Sequence, residues 1–166
     1  MTAAGPRGTA TPGEAPAIRV RGLAKRFGNR VVIKDFDIEV ARGAIFGFLG
    51  QNGAGKTTTI KTLVGLQYAT SGRAWILGHD IRDRSAREKV GFMPENPYFY
   101  EYLTAAETLD FYGQLSGMPR EGRRKKASEL IEFFGLGHAR DVPMRQFSKG
   151  MRQRLGLAQA MLHEPP

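Results

Sequence analysis

The 166-residue sequence predicts an α/β fold, and three observations predict it. A short apolar run, Ala44 to Leu49, leads straight into a glycine-rich loop, and a helical period begins where that loop ends, at Lys56. Two segments before it, Ile18–Gly22 and Val31–Val40, carry the alternation and β-branched content of strands. Three segments of helical period occupy the C-terminal part, from Thr104 onward.

The elements follow in order. Residues 1–17 are rich in Ala, Gly, Thr and Pro without periodicity, and read as a disordered leader. Ile18, Val20 and Gly22 alternate with Arg19 and Arg21, a strand. Gly28-Asn29 marks a turn before the Val31–Val40 strand. The run AIFGFL at 44–49 suits a strand buried on both faces of a parallel sheet. Ile60, Leu63, Val64 and Gln67 then fall on one helical stripe, with Thr70-Ser71-Gly72 as its end. Arg73–Leu77 and Val90–Met93 read as further short strands, separated by a charged short helix within Asp80–Lys89.

Thr104-Ala105-Ala106-Glu107 has capping-box spacing, opening a helix that runs through Leu109, Tyr112 and Leu115 and breaks at Gly117-Met118-Pro119. A second helix spans about Arg120 to Phe134 with Ala127, Leu130, Ile131 and Phe134 on one face, and Gly135 and Gly137 are candidates to cap its end. A third opens after Ser148, its stripe formed by Met151, Leu155, Ala158 and Leu162.

Composition narrows the functional classes. A hydrophobic fraction of 41% suffices for a core. The absence of cysteine excludes disulfides, thiolate metal sites and thiol nucleophiles. No run approaches the roughly 18 apolar residues that span a bilayer. The net charge is +9. Residues 120–126 and 140–154 each hold five basic residues against one acid, so these stretches carry nearly all of the excess. Such clusters suit nucleic acid, anionic lipid or phosphate, or simply a solvated helix face. His79, His138 and His163 show no metal-ligand spacing.

The stretch Gly50-Gln51-Asn52-Gly53-Ala54-Gly55-Lys56-Thr57-Thr58 matches the phosphate-loop pattern G-x-x-x-x-G-K-[ST] in full, between an apolar strand and an amphipathic helix. Each residue type has a reason. A triphosphate is polyanionic, so several backbone N–H groups must converge on it. Gly50, Gly53 and Gly55 permit the backbone angles and the close approach that side chains would block. The following helix directs its positive end at the same point. Lys56 reaches the β- and γ-phosphates, and the Thr57 hydroxyl serves Mg²⁺. ATP or GTP binding with Mg²⁺ is the expectation.

GQNGAGKTTTIKTLVGL resembles the Walker A region of ATP-binding-cassette (ABC) ATPases. About 90 residues further on, FSKGMRQR at 147–154 resembles their signature motif, and FSKGMRQRLGLAQAML is most similar to cassettes of ABC-2-type exporters. The resemblance covers residues 18–164 and implies a P-loop NTPase cassette, with antiparallel strands beside a RecA-like parallel core and a helical subdomain. The implied parts are a nucleotide-binding core over 18–96, a helical subdomain over 97–147 and a signature helix over 148–164. ATP would be held by Gly50 through Thr58. Ser148 and Gly150 would close on the γ-phosphate of an ATP bound by a second cassette. Phe27 takes the place of the aromatic that stacks on adenine. Glu95, in VGFMPE, stands where the family carries the Q-loop glutamine, with a carboxylate in place of the amide near Mg²⁺ or the attacking water. Tyr98, Phe99, Tyr100 and Tyr102 offer either a contact for a membrane partner or packing of the subdomain.

The resemblance further implies an ATPase subunit at the cytoplasmic face of a membrane. It would act as a dimer with integral membrane permeases and not on nucleic acid, whereas a soluble ABC ATPase acting on nucleic acid or in translation, or a non-catalytic remnant, is the alternative. The family's Walker B aspartate and catalytic glutamate follow a strand that would begin where this sequence reaches His163-Glu164-Pro165-Pro166, so the stretch is expected to bind ATP but turn it over little, and to be poorly stable alone.

Overall fold

The computed structural model describes residues 2–4 and 15–166, in two compact units that divide between Lys89 and Val90. The leader expected over 1–17 lies mostly outside the described residues. Of that stretch, Thr2–Ala4 forms a strand, β1. Ala15 and Ala17 are among the described residues, their carbonyls accepting from Arg42 and from the Leu77 N–H.

In the first unit, β2 (Ile18–Phe27) and β3 (Arg30–Val40) form the expected hairpin through Gly28-Asn29, with Phe27 opposite Arg30. The other edge of β2 pairs with β5 (Ser71–Ile76), which pairs in turn with β6 (His79–Asp80). The order is β3-β2-β5-β6, antiparallel throughout. Val20, Leu23, Ile33, Val40, Ala74 and Ile76 are buried. Arg19 and Arg21 stand on the exposed side and both hold Glu39, at 3.1 and 3.0 Å. Val20 and Leu23 are three apart and would face opposite ways in a regular strand. A bulge between them brings both inward. Gly22 forms it at φ 56°, its N–H donating to Asp37 Oδ1 at 2.9 Å.

The β5–β6 turn, Leu77-Gly78, has positive φ at both residues, 49° and 84°. That is the backbone a two-residue hairpin needs, and Leu77 gives no sequence signal for it. This is why β6 escapes a reading of the sequence.

Four expectations change in or beside this unit. The apolar run at 44–49 yields only a three-residue strand, β4 (Gly47–Leu49), paired antiparallel with β1. Ile45 and Leu49 are exposed, so the strand is not buried on both faces. No parallel strand flanks it among the described residues. Helix α1 (Lys56–Leu63) buries Thr59 and Thr62 while Ile60 is exposed, so its buried face is the threonine face and not the apolar stripe. It ends at Gly65, φ 76°, whose N–H and that of Leu66 donate back to the carbonyls of Thr62 and Lys61. This Schellman turn stops the helix before Thr70 is reached. The short helix within 80–89 is present as α2 (Arg84–Arg87). Val90–Met93, at the start of the second unit, carries no strand.

The second unit is helical and follows the sequence closely. Helix α3 (Ala105–Leu115) has the full capping box: Thr104 Oγ1 accepts from Glu107 N–H, and Glu107 accepts from Thr104 N–H. Helices α4 (Arg120–Phe133) and α5 (Lys149–Met161) follow. Their inward stripes meet around Leu109, Ile131, Leu136, Met144, Phe147, Leu155 and Leu162. Gly135 closes α4 in a second Schellman turn. Leu136 N–H bonds Ile131 O at 2.8 Å, and both side chains are in the core. Gly137 does not cap α4; it starts the 3₁₀ turn Gly137–Ala139. Gly113 lets α3 and α4 approach, since a Cβ there would lie 2.9 Å from Arg123 Cβ.

Candidate nucleotide-binding site

The glycine-rich loop leaves β4 at Gly50 and enters α1 at Lys56. Gly53 and Gly55 have φ of 80° and 89°, the left-handed region that a side chain disfavours by about 1–2 kcal/mol. Gly55 is the N-cap of α1, and no side chain caps it. The first turn of α1 also holds no acidic residue. The positive end of α1 therefore faces the loop without a competing anion from this helix. Gln51, Asn52, Gly53 and Thr57 are exposed; Ala54, Lys56 and Thr58 are half-buried.

Lys56 folds over the loop. Its Nζ donates to Gly50 O and, at 2.9 Å, to Gln51 O. The ammonium is thus held centrally by carbonyls that leave its charge uncancelled. Behind the loop, Thr59 Oγ1 donates to Gly55 O at 3.0 Å and Thr62 Oγ1 to Thr58 O at 2.8 Å. These buried threonines brace the first turn of α1, a role that sequence reading missed. The run of threonines after Lys56 was the available signal.

The arrangement suits a polyanion such as a polyphosphate. No cluster of three acidic or His side chains able to hold a metal occurs among the described residues.

Phe27 ends β2 beside the hairpin turn, 48% exposed, with Lys25 Nζ 4.8 Å from its ring centroid. Lys25 is a further residue that the sequence reading passed over. It stands two positions before Phe27 on the same strand.

Ser148, Gly150 and Glu95 lie in the second unit. Ser148 caps α5, its Oγ accepting from Met151 N–H at 3.2 Å. Gly150 is exposed, with open space where a Cβ would stand. Glu95 is exposed on the irregular segment that follows Val90. This segment lies tightly on α5: a Cβ on Gly91 would sit 2.1 Å from Ala160 O, and one on Gly156 3.3 Å from Pro97. Phe99 is buried and meets Tyr112 edge-on, whereas Tyr98, Tyr100 and Tyr102 are exposed. The aromatic group therefore divides between packing and surface.

Several of the clustered basic side chains are engaged inside this unit. Arg123 Nε donates to Asp110 Oδ1 at 2.6 Å, and this guanidinium holds the Asp110 carboxyl below the ordinary aspartate range. Lys126 pairs with Glu164 at 2.5 Å. Arg140 donates to Ser128 Oγ at 2.8 Å, and Arg154 caps the end of α4 through Phe134 O at 3.1 Å.

A family model described as ABC transporter matches residues 33–166. The chain belongs to the ABC transporter family. It is 44% identical over 135 residues to an uncharacterized ABC transporter ATP-binding protein of Synechocystis sp., covering 80% of this chain and 38% of that protein. It is 37% identical over 155 residues to the Nod factor export ATP-binding protein I of Ralstonia nicotianae, covering 92% of this chain and 48% of that protein. A solved structure described as the ATP binding subunit of an ABC transporter superposes with a TM-score of 0.81 at 32% identity, covering 90% of this chain and 63% of that one. The chain thus spans less than half the length of these two curated relatives.

Proposed function

We propose that this chain is the ATP-binding part of an ABC transporter's ATPase subunit, with MgATP held by Gly50–Thr58. The observation that carries the reading is the loop itself. Two left-handed glycines, an N-terminus of α1 without a side-chain cap and Lys56 laid across the loop make one cationic cradle. Lys56 and Thr57 take the phosphates and Mg²⁺, and Phe27 takes the base. By the same resemblance, Glu95 takes the role of the family's Q-loop glutamine, with a carboxylate in place of the amide.

The resemblance extends the proposal to the whole protein. A second cassette closes on the bound ATP through Ser148 and Gly150. Hydrolysis in that dimer drives export by integral membrane subunits, from the cytoplasmic face of the membrane. The exposed Ser148, Lys149 and Gly150 at the start of α5 support the second anion site. The exposed Tyr98, Tyr100 and Tyr102 support a protein contact in the helical unit. Pairing of Arg123 with Asp110 and of Lys126 with Glu164 takes two of the clustered charges away from a nucleic-acid function, which needs such charges directed at a backbone of phosphates.

The test is Lys56→Ala in the full-length protein. It should abolish ATP turnover and weaken MgATP binding at least tenfold by calorimetry. Unchanged binding and turnover would overturn the phosphate-loop assignment.

A further inference from the structure

Phe27, paired with Arg30 at the end of β2, has a cation over its ring. Lys25 Nζ lies over one face of its ring, 4.8 Å from the centroid, and donates to Tyr68 O at 2.6 Å. Tyr68 follows the Gly65 turn that ends α1, the helix that the phosphate loop opens. Two further bonds tie the same segments together. Arg26 N–H donates to Thr70 Oγ1 at 3.0 Å, and Thr70 N–H to Ala24 O at 2.9 Å. The end of β2 is therefore fastened to the chain leaving α1. A cation over an aromatic face is attracted by the ring's quadrupole, and Lys25 is held there by a carbonyl that fixes its position.

We propose that Lys25 is a positioning residue for base recognition: it holds the Phe27 ring from one face and leaves only the other face for the nucleotide base. The inference rests on the reading of Phe27 as the base-stacking residue and adds the group that orients it. Lys25 touches neither base nor phosphate. Its ammonium is engaged by Tyr68 O and the ring, so its effect reaches the ligand only through Phe27. An aromatic held by a single strand end loses rotamer freedom when it stacks. With Lys25 in place, much of that loss has already occurred in the free protein.

The experiment measures MgATP and magnesium tripolyphosphate binding by calorimetry on the full chain, for wild type, Lys25→Met, Lys25→Arg, Phe27→Ala and the Lys25→Met/Phe27→Ala pair. Methionine keeps the aliphatic cover but removes the charge and the hydrogen bond, and arginine restores both. Lys25→Met should weaken MgATP about two- to fivefold, the range of an exposed cation–π contact. Tripolyphosphate, which has no base, should bind unchanged. Lys25→Arg should bind as wild type, and Lys25→Met should add nothing once Phe27 is alanine.

Lys25→Met losing ATP and tripolyphosphate equally would overturn the proposal, and so would losses that multiply in the double variant. In both cases the stacking role of Phe27 would stand. Phe27→Ala with unchanged ATP affinity would remove the stacking role and this inference together. Should Lys25→Met fail to fold, Lys25→Arg beside Phe27→Ala still decides: a loss in arginine as large as in Phe27→Ala would overturn the role.

Discussion

Ser148 and Thr104 are both helix N-caps, and the structure distinguishes them. Ser148 accepts one bond, from Met151 N–H. Thr104 takes part in two, one through its hydroxyl and one through its N–H to Glu107. Replacing either with alanine costs about 1 kcal/mol of helix stability. Thr104→Ala should cost more, because the reciprocal bond from Glu107 loses its setting too. Chemical denaturation followed by far-ultraviolet circular dichroism checks the order: Thr104→Ala below Ser148→Ala below wild type. Both caps were legible in the sequence because a cap is local, made by a residue and its third neighbour. Leu77 and Lys25 were not. One adopts φ 49° only because β6 returns to β5, and the other is defined by a carbonyl 43 residues away.

At the level of elements, α3 and α4 are joined by one ion pair and one close approach. Arg123 reaches Asp110 at 2.6 Å, and Gly113 leaves room for the Arg123 stem. The pair is mostly shielded from water, its side chains 14% and 26% exposed. Arg123→Ala should destabilise the helical unit by about 1–2 kcal/mol. The pH dependence follows from the Asp110 carboxyl, which Arg123 holds below its ordinary range. A carboxylate with a lowered folded pKa stabilises fully above its unfolded value, and the contribution fades as pH falls through the folded one. The thermal midpoint should therefore fall below about pH 4, and Asp110→Asn should start lower and fall less steeply. Near-ultraviolet tyrosine signals report this, since four of the five tyrosines lie in the second unit. Helix pairing of this kind was half legible. The apolar stripes of α4 and α5 were visible as periods, but no period shows which acid a given arginine will meet.

Across the whole chain, the two units differ in how much apolar surface they bury. The helical unit has a continuous core in which Leu109, Ile131, Leu136 and Leu155 are fully buried. In the first unit the sheet is packed, while Ile45, Leu49, Ile60 and Leu66 around β4 and α1 stay exposed. Amide exchange should be slowest in α3, α4 and α5 and fastest in β4. Mass spectrometry of exchanged peptides tests this, and protection of 47–49 equal to that of 105–115 would refute it. MgATP should slow exchange in 50–60, the loop proposed to hold it.

The sequence by itself determined the phosphate loop, the helix caps, the β2–β3 hairpin and the inward faces of α4 and α5. Each follows from residues within a few positions of one another, where backbone angle, hydrogen bond and period are set locally. Tertiary structure alone decided which face of α1 is buried, how far the Ala44–Leu49 run becomes strand, and where the clustered arginines spend their charge. Those outcomes depend on what packs opposite, and burial, unlike a cap, is a property of two surfaces that meet.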